Sequence, residues 1–206
     1  MRYSIFRYMT VILIAVTLSA YAENTTERAT DGFEYASESK MAERWTILQS
    51  GFTKPAIIKL KSGNVKEGKK ALELRLPLSK PTGGSRIDLD IFPDIALENV
   101  KQIIFWLYID NPQYIAQTGI HCGDSDWSNH YSKFGIANYE KGWQRVIVST
   151  DAMVVGGGNP TWESANKMRI TFWFNPGSKP IKVMIDDVVW TTRKERDMIL
   201  NQKWYD

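Results

Sequence analysis

Hydrophobic positions along this chain fall into short alternating runs. Leu72, Leu74 and Leu76 alternate with Glu73 and Arg75, and Ile87, Leu89 and Ile91 alternate with Asp88 and Asp90. Val146 and Val148, then Met168, Ile170 and Phe172, then Ile181, Val183 and Ile185 repeat the pattern. A period of two sends every second side chain to one face, so each run predicts a half-buried strand. Ile103–Ile109 is a continuous apolar run carrying aromatics, which predicts a central strand covered on both faces. Turn-forming clusters separate the runs at Lys61–Asn64, Pro81–Gly84, Asp110–Pro112, Gly156–Pro160 and Asn175–Gly177. No helical period persists between Asp31 and Trp190; the one helical candidate is the charged tail Thr191–Leu200. Roughly nine or ten strands without intervening helices predict antiparallel pairing in two packed sheets. The predicted fold is therefore all-β, a jelly-roll β-sandwich over residues 31–190 with a short C-terminal helical tail over 191–206.

The N-terminal residues bear on compartment. Arg2 and Arg7 precede an apolar run from Met9 to Leu18, and Ser19-Ala20-Tyr21-Ala22 places small residues at a cleavage position after Ala22. A basic start, a short apolar stretch and an A-x-A-like site predict a secretory signal peptide over residues 1–22, and hence a periplasmic or secreted protein. The run is shorter than the ~20 residues a membrane span needs, so no span is expected after cleavage. Residues 23–30 are polar and aperiodic and are expected to form a mobile leader.

Charge and cysteine content narrow the function classes. Without the signal peptide the chain has 24 basic and 23 acidic residues, a net charge of +1. No basic patch or Lys/Arg-rich helix is visible, which argues against nucleic acid. Cys122 is the single cysteine, so neither an intramolecular disulfide nor a thiolate metal cluster is expected, and a small buried residue is the plain reading.

Four landmarks resemble the jelly-roll carbohydrate-binding modules that accompany polysaccharide-active enzymes. They are Asp31-Gly-Phe-Glu34 with Trp45 downstream, Val65–Leu74 with its Glu67-Gly68 step, Gly142-Trp-Gln-Arg-Val146, and Val183-Met-Ile-Asp-Asp-Val188. Together they bracket Asp31 to Trp190 in the order such modules show. The resemblance implies a non-catalytic carbohydrate-binding domain, and one that associates with a polysaccharide-active enzyme. It also implies a structural calcium ion held by Glu34, Glu67, a backbone carbonyl near Lys70, and Asp187 or Asp186. Calcium takes six to eight hard oxygen ligands, partly from backbone, and would relieve repulsion between acids at neighbouring strand ends. The rival reading leaves these acids solvated or paired with Lys69 or Arg169.

Sugar recognition needs flat aromatic surfaces ringed by polar groups. The segment Gly119–Tyr131 is the most polar-aromatic stretch and holds both histidines. Trp127 lies there among small polar residues, flanked by His121, Asp126, His130 and Tyr131, and Trp162 follows the Gly156–Pro160 loop. These six residues are the candidate ligand contacts. Trp106 and Trp143 read as core, whereas Trp45 and Trp173 read either way. The alternative for Trp127 is a loop anchor packed onto the sandwich.

Two other functions fit some of the residues. Arg75, His121, Tyr131 and Lys133 are residue types used by jelly-roll polysaccharide lyases, where a cation neutralises a uronate and a Tyr or His moves the proton. Tyr131 follows His121 by only ten residues, and the flanking pattern of that family is missing. Asp124 and Asp126 do not form a glycosidase pair, and the two histidines lack a third zinc ligand at usual spacing. An envelope adhesion or assembly module that binds protein is the remaining alternative.

Overall fold

The computed structural model describes residues 28–52, 54–76, 85–175 and 180–194. Twelve strands are present among them. In chain order they are β1 (Arg28–Asp31), β2 (Trp45–Ser50), β3 (Ile57–Ser62), β4 (Lys70–Leu76), β5 (Ser85–Ile91), β6 (Gln102–Ile109), β7 (Ile115–Gly123), β8 (His130–Phe134), β9 (Gly142–Ser149), β10 (Val154–Gly157), β11 (Lys167–Phe174) and β12 (Ile181–Thr191). The first sheet runs β3-β4-β12-β6-β9 with β1 on β12, and the second runs β10-β8-β7-β11-β5-β2. Every ladder is antiparallel, so the predicted all-β two-sheet sandwich is the observed architecture.

The alternating residues fill the space between the sheets. Leu72, Leu74, Phe105, Leu107 and Ile185 from the first sheet meet Ile87, Leu89, Ile120, Ile170 and Phe172 from the second, all fully buried. Non-directional burial of apolar area makes such a period decisive, because a one-residue slip would send each set into water. Cys122 is buried in this core, which pushes its thiol pKa up to about 12 and leaves it chemically inert.

The structure departs from the sequence reading at several points. Residues 28–30, expected in the leader, belong to β1, where Ala29 lies opposite Trp190. A five-residue helix, α1 (Glu38–Ala42), is too short to show a period; the Ser37 hydroxyl caps it by accepting from the Lys40 N–H at 3.3 Å. Trp106 and Trp143, read as core, face outward from the first sheet. Trp106 lies beneath the Lys66 ammonium at 4.6 Å, and Trp143 meets Tyr108 edge-on at 5.6 Å. Trp45 is core and stacks on Phe33. The expected signal peptide and most of the expected helical tail lie outside the described residues, and Thr191 itself ends β12.

Strand β12 changes partner partway along one edge. Ile181–Ile185 pair with β4, Val188–Thr191 pair with β1, and a bulge between Asp186 and Val189 on the β6 side accompanies the exchange. Asp187 there has φ 46°, a left-handed conformation that Asp tolerates better than most residues.

Candidate functional site

The outer face of the second sheet carries a cleft whose floor follows from strand register. Strands β5, β11, β7 and β8 are adjacent, and their odd and even positions face opposite ways. One row across them reads Asp90, Arg169, His121, Ser132; the next reads Asp88, Thr171, Gly119, Phe134; a third pairs Arg86 with Trp173. Ile87, Leu89, Ile170 and Phe172 point into the core, so these rows point outward. Gly119 makes room for its neighbour: a Cβ there would lie 2.9 Å from the Phe134 ring.

Buried ion pairs tie the floor together. Arg169 grips Asp90 in a fork, Nε to Oδ1 at 2.6 Å and a terminal nitrogen to Oδ2 at 2.8 Å. Lys167 reaches the same Oδ2 at 3.1 Å. Asp88 accepts from the Thr171 hydroxyl at 2.5 Å and pairs with Arg86 at 2.7 Å and Arg169 at 3.5 Å. Burial alone would raise the Asp90 carboxyl, but the hydrogen bonds and charge of Arg169, with Lys167 and Trp127, hold it below its ordinary value. His121 is pushed down to about 4 by burial, then by its electrostatic interaction with His130 and the positive charge of Arg169 and Arg86. Its ring is therefore neutral near pH 7, with Nδ1 bonded to the Ser132 hydroxyl at 2.7 Å.

Trp127 closes one side of the cleft. It stands on the loop between β7 and β8 with φ 67°, in a turn held by Asp124 and Asn129 side chains. Its indole N–H donates to Asp90 Oδ2 at 3.1 Å, and its ring lies against the Arg169 guanidinium at 4.4 Å. The His130 Nδ1–H donates to the Trp127 carbonyl at 3.2 Å, since a carbonyl only accepts. Gly156 and Gly157 of β10 rest on the His130 ring. A Cβ on Gly156 would fall 2.2 Å from Ser132 Oγ and 2.7 Å from His130 Cδ2. Trp173 forms the opposite wall, 5.8 Å from Phe134 and 6.0 Å from the Arg86 guanidinium carbon. The cleft encloses about 180 Å³, less than the ~300 Å³ lower bound of drug-sized pockets, and so suits one ring of a longer ligand.

Of the six candidate contacts, the structure brings His121, Trp127 and His130 into the cleft. Tyr131 and Trp162 are not part of it. They stack on each other at 4.3 Å and pack against the core, with the Tyr131 hydroxyl donating to the Pro160 carbonyl. Period two explains this, because His130 and Ser132 face outward and Tyr131 between them faces inward. Asp126 accepts from the Ser128 N–H at 2.9 Å and shapes the loop. Sequence reasoning missed Arg86, Asp88, Asp90 and Arg169 because an alternating charged face reads as solvated; the sheet pairing that joins them spans long sequence separations.

The lyase constellation does not assemble. Arg75 belongs to the first sheet and pairs with Glu73, His121 belongs to the second, and Tyr131 faces away from His121.

The acids expected to hold calcium gather around the loop 65–70. Glu34 Oε1 accepts from the Lys69 and Lys70 N–H groups, and these bonds hold its carboxyl below the ordinary value. Asp186 Oδ2 accepts from the N–H groups of Lys66 at 2.7 Å and Glu67 at 3.0 Å. Lys70, expected to lend its carbonyl, is engaged through its N–H and through its ammonium on the Tyr35 carbonyl. Among the described residues no three His, Cys, Asp or Glu side chains converge as a metal shell. Asp186 Oδ1 nevertheless is buried without a hydrogen-bond partner. Burial raises the Asp186 carboxyl and the charge of Asp187 adds to the rise; burial likewise raises Asp187, where the charge of Arg28 opposes the rise and that of Glu67 adds to it. An orphaned carboxylate oxygen beside a second acid is chemistry that a hard cation relieves.

No protein-family model and no curated protein matches this sequence. Solved structures do share its fold. The solution structure of the module CtCBM11 is 12% identical, with TM-score 0.56, covering 84% of this chain and 99% of that one. Module CBM27-1 of Caldicellulosiruptor saccharolyticus, solved in complex with mannohexaose, is 12% identical with TM-score 0.50, covering 82% of this chain and 99% of that one. At such identity the likeness is one of fold.

Proposed function

We propose that this protein is an exported carbohydrate-binding module whose ligand lies in the outer-face cleft of the second sheet. One observation carries the reading: Trp127, Trp173 and Phe134 stand around a polar floor whose buried charges are already paired. Half-exposed rings offer apolar surface to the C–H faces of a sugar, and the fixed polar groups between them meet its hydroxyls. Two neighbours in fold are carbohydrate-binding modules, which supports the same reading. An inward Tyr131, and an Arg75 on the other sheet, leave no assembled proton-transfer pair and favour binding. Affinity electrophoresis through gels containing different polysaccharides tests the proposal. Retardation of the wild-type protein in at least one gel is expected, and normal migration in all of a broad panel would remove it.

We propose in addition that calcium binds at the β12 bulge on Asp186, drawing in Asp187 and Glu67, which do not converge on it as the fold places them. Bound there, the ion supplies positive charge to the adjacent acids Asp186 and Asp187 and ties β12 to the loop 65–70. Because burial and like charge raise the folded-state values of Asp186 and Asp187, their cost is absent below about pH 4 and felt above their folded values. Calcium is therefore expected to raise the melting temperature at pH 7 and not at pH 3.5. Asp186→Asn should abolish the increment, and an unchanged melting temperature in millimolar calcium would count against the site.

A further inference from the structure

The donor and acceptor inventory of the cleft points beyond carbohydrate in general. Both carboxylates are spent. Asp88 is occupied by Thr171, Arg86 and Arg169, and Asp90 by Arg169, Lys167 and the Trp127 indole. Their side chains keep only 3% and 1% exposure, whereas the Arg86 side chain keeps 42%. The acids thus lie beneath the cations, and three cations stand over two acids, leaving one positive charge in excess. A ligand entering from solvent meets N–H donors at Arg86 and finds no free carboxylate to accept from its hydroxyls, the His121 ring being a neutral acceptor on the floor. A neutral sugar offers hydroxyls that want acceptors as much as donors; a carboxylate only accepts, and matches a guanidinium fork.

We infer that the cleft selects a uronate, a sugar ring bearing a carboxylate, with the Arg86 guanidinium taking the carboxylate while Trp173 faces the ring. This rests on the carbohydrate reading of the same cleft. Arg86 suits the task because its planar fork is held beside Trp173 and by Asp88, so little ordering remains for the ligand to impose. The excess charge also predicts that binding weakens with salt, as paired surface charges are screened.

The test is isothermal titration with three polymers at matched chain length: a polyuronate, the same polymer with its carboxyls reduced to alcohols, and a sulfated neutral glucan. The polyuronate should bind at least tenfold more tightly than its reduced form, and more tightly than the sulfated glucan. Arg86→Gln should erase the difference between the first two polymers, and Arg86→Lys should restore only part of it. Should Arg86→Gln lower the melting temperature by freeing Asp88, the wild-type comparison of polyuronate with its reduced form still decides. Equal binding of those two, or preference for the reduced polymer, would overturn the uronate inference while leaving carbohydrate binding intact. Tighter binding of the sulfated glucan would show that charge alone is read, and would also overturn it. Failure of every glycan would remove the carbohydrate reading itself.

Discussion

Asp90→Ala lowers the stability of the protein by about 3 kcal/mol, because it strands the Arg169 guanidinium and Lys167 ammonium in a half-closed site. The estimate sits at the lower end for buried pairs, since both cations retain 15% side-chain exposure. In a domain of this size that is roughly a 10 °C fall in melting temperature, readable by calorimetry. The variant also frees the Trp127 indole from its Asp90 acceptor. The pH dependence follows from the lowered carboxyl. Stability contributed by Asp90 is fully present above the unfolded value near 3.8 and is lost as pH falls through the lower folded value. That acid limb should disappear in Asp90→Ala. The separate loss between about pH 6.5 and 4, where the unfolded chain protonates His121 but the folded protein resists, should remain. An unchanged melting temperature would mean that the ion-pair floor is not structural.

Trp173→Ala weakens glycan binding tenfold to a hundredfold, about 1.4–2.8 kcal/mol, with a much smaller effect on melting temperature. The ring stands on the outer face, so its removal opens no cavity in the core, but it takes away one wall of the cleft and the partner of Arg86. Trp127 is the less clean probe. It is wall and pin together, and its loss costs an indole hydrogen bond and contacts with two cations. Affinity electrophoresis at matched temperatures separates the effects: Trp173→Ala should migrate freely through a gel that retards the wild type. Undiminished retention would move the binding surface elsewhere.

The sandwich was legible because burial on one face imposes a period of two. Leu72–Leu76, Ile87–Ile91 and Met168–Phe172 all keep their predicted faces. Where both faces of a strand are apolar, that signal fails. Phe105 and Trp106 are adjacent in one apolar run, yet the first is core and the second carries a lysine over its outer face. Periodicity alone does not say that solvent-side aromatics can be shielded by long basic side chains. The cleft was half legible. His121, Trp127 and His130 share a local polar-aromatic window, whereas Asp90 joins Arg169 across 79 residues and only sheet order reveals it. Tyr131 shows the complementary error: it is local to the window, but the pleat turns it inward. The acids of β12 were legible as a group. Which oxygen lacks a partner was not, because that depends on the bulge and the change of strand neighbour.

The proposed ligand site is the outer face of the second sheet. Nitrogen–proton correlation spectra of the indole groups, recorded while a retained oligosaccharide is titrated, test it most directly. Tryptophans mark both outer faces, Trp127 and Trp173 on one and Trp106 and Trp143 on the other. The indole N–H signals of Trp127 and Trp173 should shift and saturate together, with those of Trp106 and Trp143 unmoved. Saturable shifts at Trp106 and Trp143, with Trp127 and Trp173 unchanged, would contradict it.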